Sequence, residues 1–199
     1  MFISSLDGLS YSKIRSRARE HATLTTPDAA ATAADVLLHH ASAKRRQFAV
    51  YLLGFTSAAR PANLDLLRLR VAADTSWVVQ EALAQALDAY CAAITCEAAL
   101  PTIDSWLRDS HPNVRRAVSE GLRPWTAKSR PYFARHPEEA IHRLSALRAD
   151  PSEYVRHSAG NALRDIRRVY PALIDAETAT WNLADPRESF TYKRVLQAQ

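Results

Sequence analysis

Apolar side chains recur along this chain at helical spacing, three and four residues apart, and the alternation expected of strands is nearly absent. Proline, aspartate and serine signals break the pattern into segments. The spacing predicts helices over 28–42, 44–57, 61–73, 75–92, 99–108, 111–126, 137–149, 151–169 and 171–183, and a looser tail after them. Connections are short, so neighbouring helices are expected to pack antiparallel.

An internal repeat runs through these segments. VQEALAQAL from Val79, VRRAVSEGL from Val114 and VRHSAGNAL from Val155 align, with starts 35 and 41 residues apart. A turn-like opening precedes each: ADTSW, DSHPN and DPSEY. A helix pair recurring at this period predicts an all-α fold, a HEAT-like α-solenoid of stacked antiparallel helix pairs. The expected layout is one domain over 1–199. It has an N-terminal helical lead at 1–43, HEAT-like repeats over 44–184 and a C-terminal tail at 185–199. The packed face comprises Val79, Ala82, Leu83, Ala86 and Leu87, then Val114, Ala117, Val118, Gly121 and Leu122, then Val155, Ser158, Ala159, Ala162 and Leu163. The opposite strip is polar. Its columns are Glu81, Arg116 and His157, then Gln85, Glu120 and Asn161, then Asp88, Arg123 and Arg164.

Composition narrows the function. Of 199 residues, 47% are hydrophobic and 24% charged, enough apolar material for a sizeable core. The 4 glycines do not cluster, which disfavours a Rossmann turn or P-loop. No apolar run reaches the roughly 18 residues of a membrane span, and Asp7 makes the N-terminus a poor signal peptide. The expectation is a cytoplasmic monomer. Cys91 and Cys96 read as packed small side chains, and the scattered histidines show no metal-ligand spacing, so no metal is expected. The net charge of +5 is unevenly spread: residues 108–168 carry +6 and the rest −1. Localised positive charge suits a polyanion such as nucleic acid.

The residues that could carry chemistry lie on the repeat helices. Trp77 and Glu81 are one turn apart at the start of one of them. Arg115, Arg116 and Arg123 surround Glu120 in a segment that runs on to Trp125, and cationic company holds a carboxylate ionised. A fixed carboxylate beside an indole stabilises a cationic centre by charge and by cation–π contact. Asn161 and Asp165 on the third repeat helix would complete such a patch. Asp165 serves equally as a structural partner for Arg164 or Arg168, and Trp106 and Trp181 read as packing residues.

Three strings, SWVVQEALAQALDAYC, HPNVRRAVSEGLRPWTAKSRPYF and DPSEYVRHSAGNALRDIRRVYP, resemble the HEAT-repeat DNA alkylation repair superfamily, the AlkC/AlkD-like alkylpurine DNA glycosylases. The likeness covers about 44–184 and is strongest from Asp74 to Pro171. The resemblance implies a basic concave groove for duplex DNA and hydrolytic excision of cationic N3- or N7-alkylated purines. It requires no metal or cofactor, and some members act without a pocket for a flipped base. The family's carboxylate four residues after a tryptophan resembles Glu81 after Trp77, with Glu where the AlkD-like pattern has Asp. Its DNA-contacting arginine resembles Arg116. The glutamate of the AlkC-like SEG motif resembles Glu120, and the following tryptophan resembles Trp125. Asn161 stands where the AlkD-like pattern has a second indole.

The expectation is therefore a monofunctional DNA glycosylase. Glu81, Glu120, Trp77 and Trp125 are its catalytic candidates. Arg115, Arg116, Arg123, Lys128, Arg156 and Arg164 are its DNA contacts, supported by Asn161 and Asp165. Two alternatives stand beside it: a non-catalytic binder of DNA structure, and a HEAT-repeat scaffold for other proteins.

Overall fold

A computed structural model of the chain describes residues 3–123 and 131–197. Among them there is no strand, and no helix is long and apolar enough to cross a membrane. The chain divides into two compact units, Met1–Ile94 and Thr95–Gln199.

In the first unit a 3-10 turn, Ile3–Gly8, leads into α1 (Tyr11–Leu24), α2 (Pro27–Leu38), α3 (Ala43–Thr56), α4 (Ala62–Leu66) and α5 (Trp77–Ile94). A π-helical turn, Leu67–Val71, continues α4. Helix α3 is the hub and packs on α1, α2 and α5. Its middle is buried all round, from Gln47 to Gly54, as expected of a helix enclosed by neighbours. Gly54 allows the closest approach: a Cβ there would lie 2.6 Å from the Cα of Ala86 on α5.

The second unit contains α6 (Cys96–Leu107), α7 (Pro112–Gly121), α8 (Pro131–Arg135), α9 (Pro137–Ser145), α10 (Glu153–Arg167), α11 (Pro171–Thr178) and α12 (Pro186–Leu196). Helices α7, α10 and α12 form one row, and α6, α9 and α11 pack outside it. Trp106 and Trp181 are buried, and the Trp181 indole N–H donates to Ser145 Oγ at 3.0 Å. All fifteen residues predicted for the packed face are buried. The fold class is the HEAT-like α-solenoid, built of stacked helix pairs.

Four departures from the sequence reading have local causes. Helix α1 lies within the expected helical lead, but its bounds were not predicted, because only Ile14 and Ala18 of it are buried, among arginines and serines. The expected tail is α12, which seats against Gly160 of α10: a Cβ there would meet Arg194 Cβ at 2.6 Å. It is fixed further by Glu188 on Arg148 at 3.0 Å and by the Thr191 hydroxyl on the Arg148 carbonyl at 2.6 Å. The segment expected over 61–73 is interrupted by the π turn. Helix α7 ends at Gly121, three residues before Pro124, because the residue preceding a proline is pushed out of the helical region.

One device ties these helices together. Asp74, Asp109 and Asp150 each turn a carboxylate oxygen back to the N–H two residues on, at 2.8, 2.7 and 2.8 Å. His40 makes the same turn with its ring nitrogen, to Ser42 at 2.9 Å. Six residues after each turn residue, a side chain of the following helix reaches back to its carbonyl. These are Arg46 to His40 (2.8 Å), Gln80 to Asp74 (2.7 Å), Arg115 to Asp109 (2.8 Å) and Arg156 to Asp150 (2.6 Å). Arg46 also forks onto the Asp74 carboxylate at 2.6 and 3.2 Å. Arg115 forks onto Asp150 at 2.6 and 2.7 Å. Each fork links one repeat to the next with a bidentate, charge-assisted pair.

The fork on Asp150 is almost wholly buried, its side chains 11% and 4% exposed. Replacing Arg115 by Ala strands that carboxylate, and the expected cost is about 3–5 kcal/mol, measured as a fall in ΔG of urea unfolding. Gly54→Ala forces α3 from α5 and is expected to cost about 1–3 kcal/mol by the same measurement. Wild-type stability in either variant would contradict the packing described here.

Candidate functional site

In the first unit, Trp77 opens α5 with its indole 68% exposed. Glu81 follows one turn on, half-buried on the same face. Both line a cleft of about 780 Å³ whose walls come from α1, α3 and α5. Its floor is a hydrogen-bonded chain: Gln47 Nε2 donates to the Tyr51 hydroxyl at 3.2 Å, and that hydroxyl donates to Gln85 Oε1 at 3.1 Å. Burial pushes the Tyr51 phenol above its ordinary pKa, so it stays a neutral donor. Asp88, the first member of the third column, is buried 3.9 Å from Arg15.

In the second unit the predicted residues form a closed network. The Arg116 guanidinium lies 4.4 Å over the Tyr154 ring and 3.7 Å from Glu120. Glu120 takes Arg123 at 2.9 Å on one oxygen and the Ser158 hydroxyl on the other. Ser158 shares a hydrogen bond with Ser119 at 2.7 Å. Arg123 continues to Asp165 at 2.7 Å, and Asp165 is buried with Arg168 at 3.8 Å from its other oxygen. Asn161 donates to His157 Nδ1 at 3.0 Å. Arg164 is half-buried on the same helix.

Two predicted DNA contacts have other work. Arg115 and Arg156 are buried in the ladder, their donors turned to loop carbonyls and, for Arg115, to Asp150. That geometry makes them helix fasteners. Trp125 and Lys128 lie outside the described residues.

The chain overlays nearly whole on two solved structures. AlkD2 from Streptococcus mutans is 36% identical, with a TM-score of 0.90 over 98% of this chain and 95% of that one. The protein smu.31 from Streptococcus mutans UA159 is 36% identical, with a TM-score of 0.89 over 99% and 98%. The chain belongs to the AlkD-like family of HEAT-repeat proteins. The family profile for HEAT repeats matches residues 70–164, a stretch that contains three of the four ladder turns. An uncharacterised protein of Bacillus subtilis (strain 168), YhaZ, is 33% identical over 94 residues. That match spans 46% of this chain and only 26% of YhaZ.

Among the features of this AlkD-like chain, two escaped the sequence reading. Tyr154 under Arg116 was passed over because it lies in the turn-like opening of its repeat. The arginines of α1 that line the cleft, Arg15 and Arg19, sit in the part of the helical lead for which no helix bounds were predicted. The spacing of Ser12, Arg15, Ser16 and Arg19 was a usable signal, since it puts all four on one helical face.

The surroundings of His157 make a pH statement. Burial first, and then the charges of Arg194 and Arg164, hold its imidazole below the usual 6.5, against the weaker pull of Glu120 and Glu153. A histidine with a depressed folded pKa binds its proton more weakly folded than unfolded. Folded stability is therefore unaffected by this group above pH 6.5 and falls as the pH drops from that unfolded value through the lower folded one. An NMR titration of the His157 ring is expected to show a midpoint below 6.5. A midpoint above it would contradict the cationic surroundings described.

Proposed function

We propose that this protein is a monofunctional DNA glycosylase of alkylation repair, which releases cationic N3- or N7-alkylated purines from duplex DNA. The observation that carries the reading is the pairing of Trp77 and Glu81 on the cleft. An indole 68% exposed and a carboxylate one turn on line the same cleft, and both groups attract a cation. The kinship with AlkD2, a protein named for alkylation repair, supports the same reading.

An alkylated purine already carries positive charge and leaves with the electron pair of its glycosidic bond. The sugar becomes an oxocarbenium ion, water adds at C1′, and the water's proton is released, leaving an abasic site. Glu81 stabilises the developing sugar cation and orients the water. Trp77 offers its π face to the cationic base or sugar. Arg116, Arg123 and Arg164 are proposed as contacts to the phosphates. Arg123 and Arg164, both half-buried, suit that role better than Arg116, which is buried over the Tyr154 ring. No step needs a metal or cofactor.

A second reading is a non-catalytic binder of DNA structure. Two observations favour it: Glu120 is enclosed by Arg116, Arg123 and Ser158, and position 161 supplies an amide bound to His157 in place of an indole.

Chromatography of bases released from N-methylated duplex DNA separates the two. Under the glycosylase reading, wild type releases N3-methyladenine or N7-methylguanine. Glu81→Gln is then expected to lower the rate by about 100-fold or more, with duplex affinity unchanged. Wild-type affinity without any released base would establish the binder instead.

A further inference from the structure

We infer that the exposed face of α1 is the phosphodiester-binding wall of the cleft, with Arg15 and Arg19 gripping a DNA strand so that its sugar faces Glu81 and Trp77. The inference rests on the DNA reading given above and adds residues to it that neither the repeat pattern nor the kinship assigns.

That face is rich in donors and carries one carboxylate, Glu20 near its C-terminal end, which lies 3.6 Å from Arg17. Ser12, Arg15, Ser16, Arg19 and Thr23 all turn into the cleft, while Ile14 and Ala18 on the other side of α1 are buried. From Ser12 to Arg19 the chain holds no carboxylate. Hydroxyls and guanidinium groups in this mixture are donors suited to phosphate oxygens. The two arginines are also held in place without exhausting their donors. Arg19 lies with its carbon 5.1 Å from the centre of the Phe55 ring, a contact made through the guanidinium face that leaves the N–H edge available. Arg15 stands 3.9 Å from Asp88, beyond hydrogen-bond length, and its buried Nε has no hydrogen-bond partner among the described residues.

The opposite wall supplies the orientation. Glu81 repels a phosphate, so a strand entering the cleft lies with its phosphates on α1 and its sugar edge toward α5. The cleft, at about 780 Å³, is within the size range of sites that take a nucleotide-sized ligand.

The test is duplex affinity by fluorescence anisotropy across a salt series from about 50 to 200 mM. Removal of each phosphate-contacting cation is expected to reduce the slope of log K against log salt by about one. Arg19→Gln should therefore lower the slope by about one, and Arg15→Gln with Arg19→Gln by about two. Arg17→Gln removes the same charge from α1 outside the cleft, beside Glu20 at 3.6 Å, and should leave the slope as in wild type. Arg19 is exposed, so its single variant is expected to keep the wild-type melting temperature and carries the test if the double variant does not fold. Inorganic phosphate at matched ionic strength separates a strand site from a small-anion site. It should leave the duplex affinity unchanged. An unchanged slope in Arg19→Gln, or equal loss in Arg17→Gln, overturns the inference while the DNA reading stands. Displacement of duplex by phosphate at matched ionic strength does the same. No duplex affinity in wild type overturns both.

Discussion

The fold depends on an aspartate that does three things at once. Asp150 closes its own turn through Ser152 N–H, receives the Arg115 fork from the preceding repeat, and offers its carbonyl to Arg156 of its own helix. Asp74 does the same with Ser76, Arg46 and Gln80. Each carboxylate thereby fixes the angle at which a helix leaves its turn and the distance to the helix behind it. Small side chains on the packed face set how near the helices come, and the fork sets their rotation about one another. A buried pair of this kind adds little net stability over an apolar substitute. Its consequence is geometric: within each unit it holds in register the two helices that it joins.

That division explains why the arginines of this protein cannot be sorted by their neighbours in sequence. Arg115 and Arg116 are adjacent, but one residue of helix is about 100° of rotation. The first turns toward the loop carbonyls and Asp150; the second turns onto Tyr154 and toward Glu120. Arg156 goes the way of Arg115 because it occupies the same place in the repeat. The local excess of positive charge over 108–168 is therefore partly internal. It contains two arginines already matched to carbonyls and a carboxylate, and the charge left for an outside partner is smaller than the arithmetic of the sequence suggests.

The repeat core was legible because its signal is redundant. Val, Ala and Leu recur at fixed offsets in three helices, and burial follows the offsets without exception. The fourth copy, at α3, was hidden because Arg45 stands where the other copies have valine, though Arg46 and its turn are intact. Helix α12 and the bounds of α1 were hidden for a different reason. Each sits at the end of a row and buries one narrow edge, so its polar residues outnumber the apolar ones that would announce it. Of the candidate site, the Trp77–Glu81 spacing was readable, as was the crowding of arginines about Glu120. Which carboxylate faces a cleft and which is enclosed was not, because that turns on Ser158 and Asp165, 38 and 42 residues from their partners.

The two carboxylates consequently play unequal parts. Glu120 has its charge met by two guanidinium groups and a hydroxyl, and moving it toward a substrate would break a network that also anchors Asp165. Withdrawing it would take a carboxylate from the buried Arg116 and from Arg123, which costs more than a surface ion pair is worth. Glu81 borders an open cleft beside an exposed indole. A site that must meet a transient positive charge is better served by the second kind of carboxylate. The substitution of Glu for Asp there adds one methylene of reach. It moves the charge further into the cleft, toward the wall on which Arg15 and Arg19 stand, so a bound strand would be held between opposite charges on facing helices.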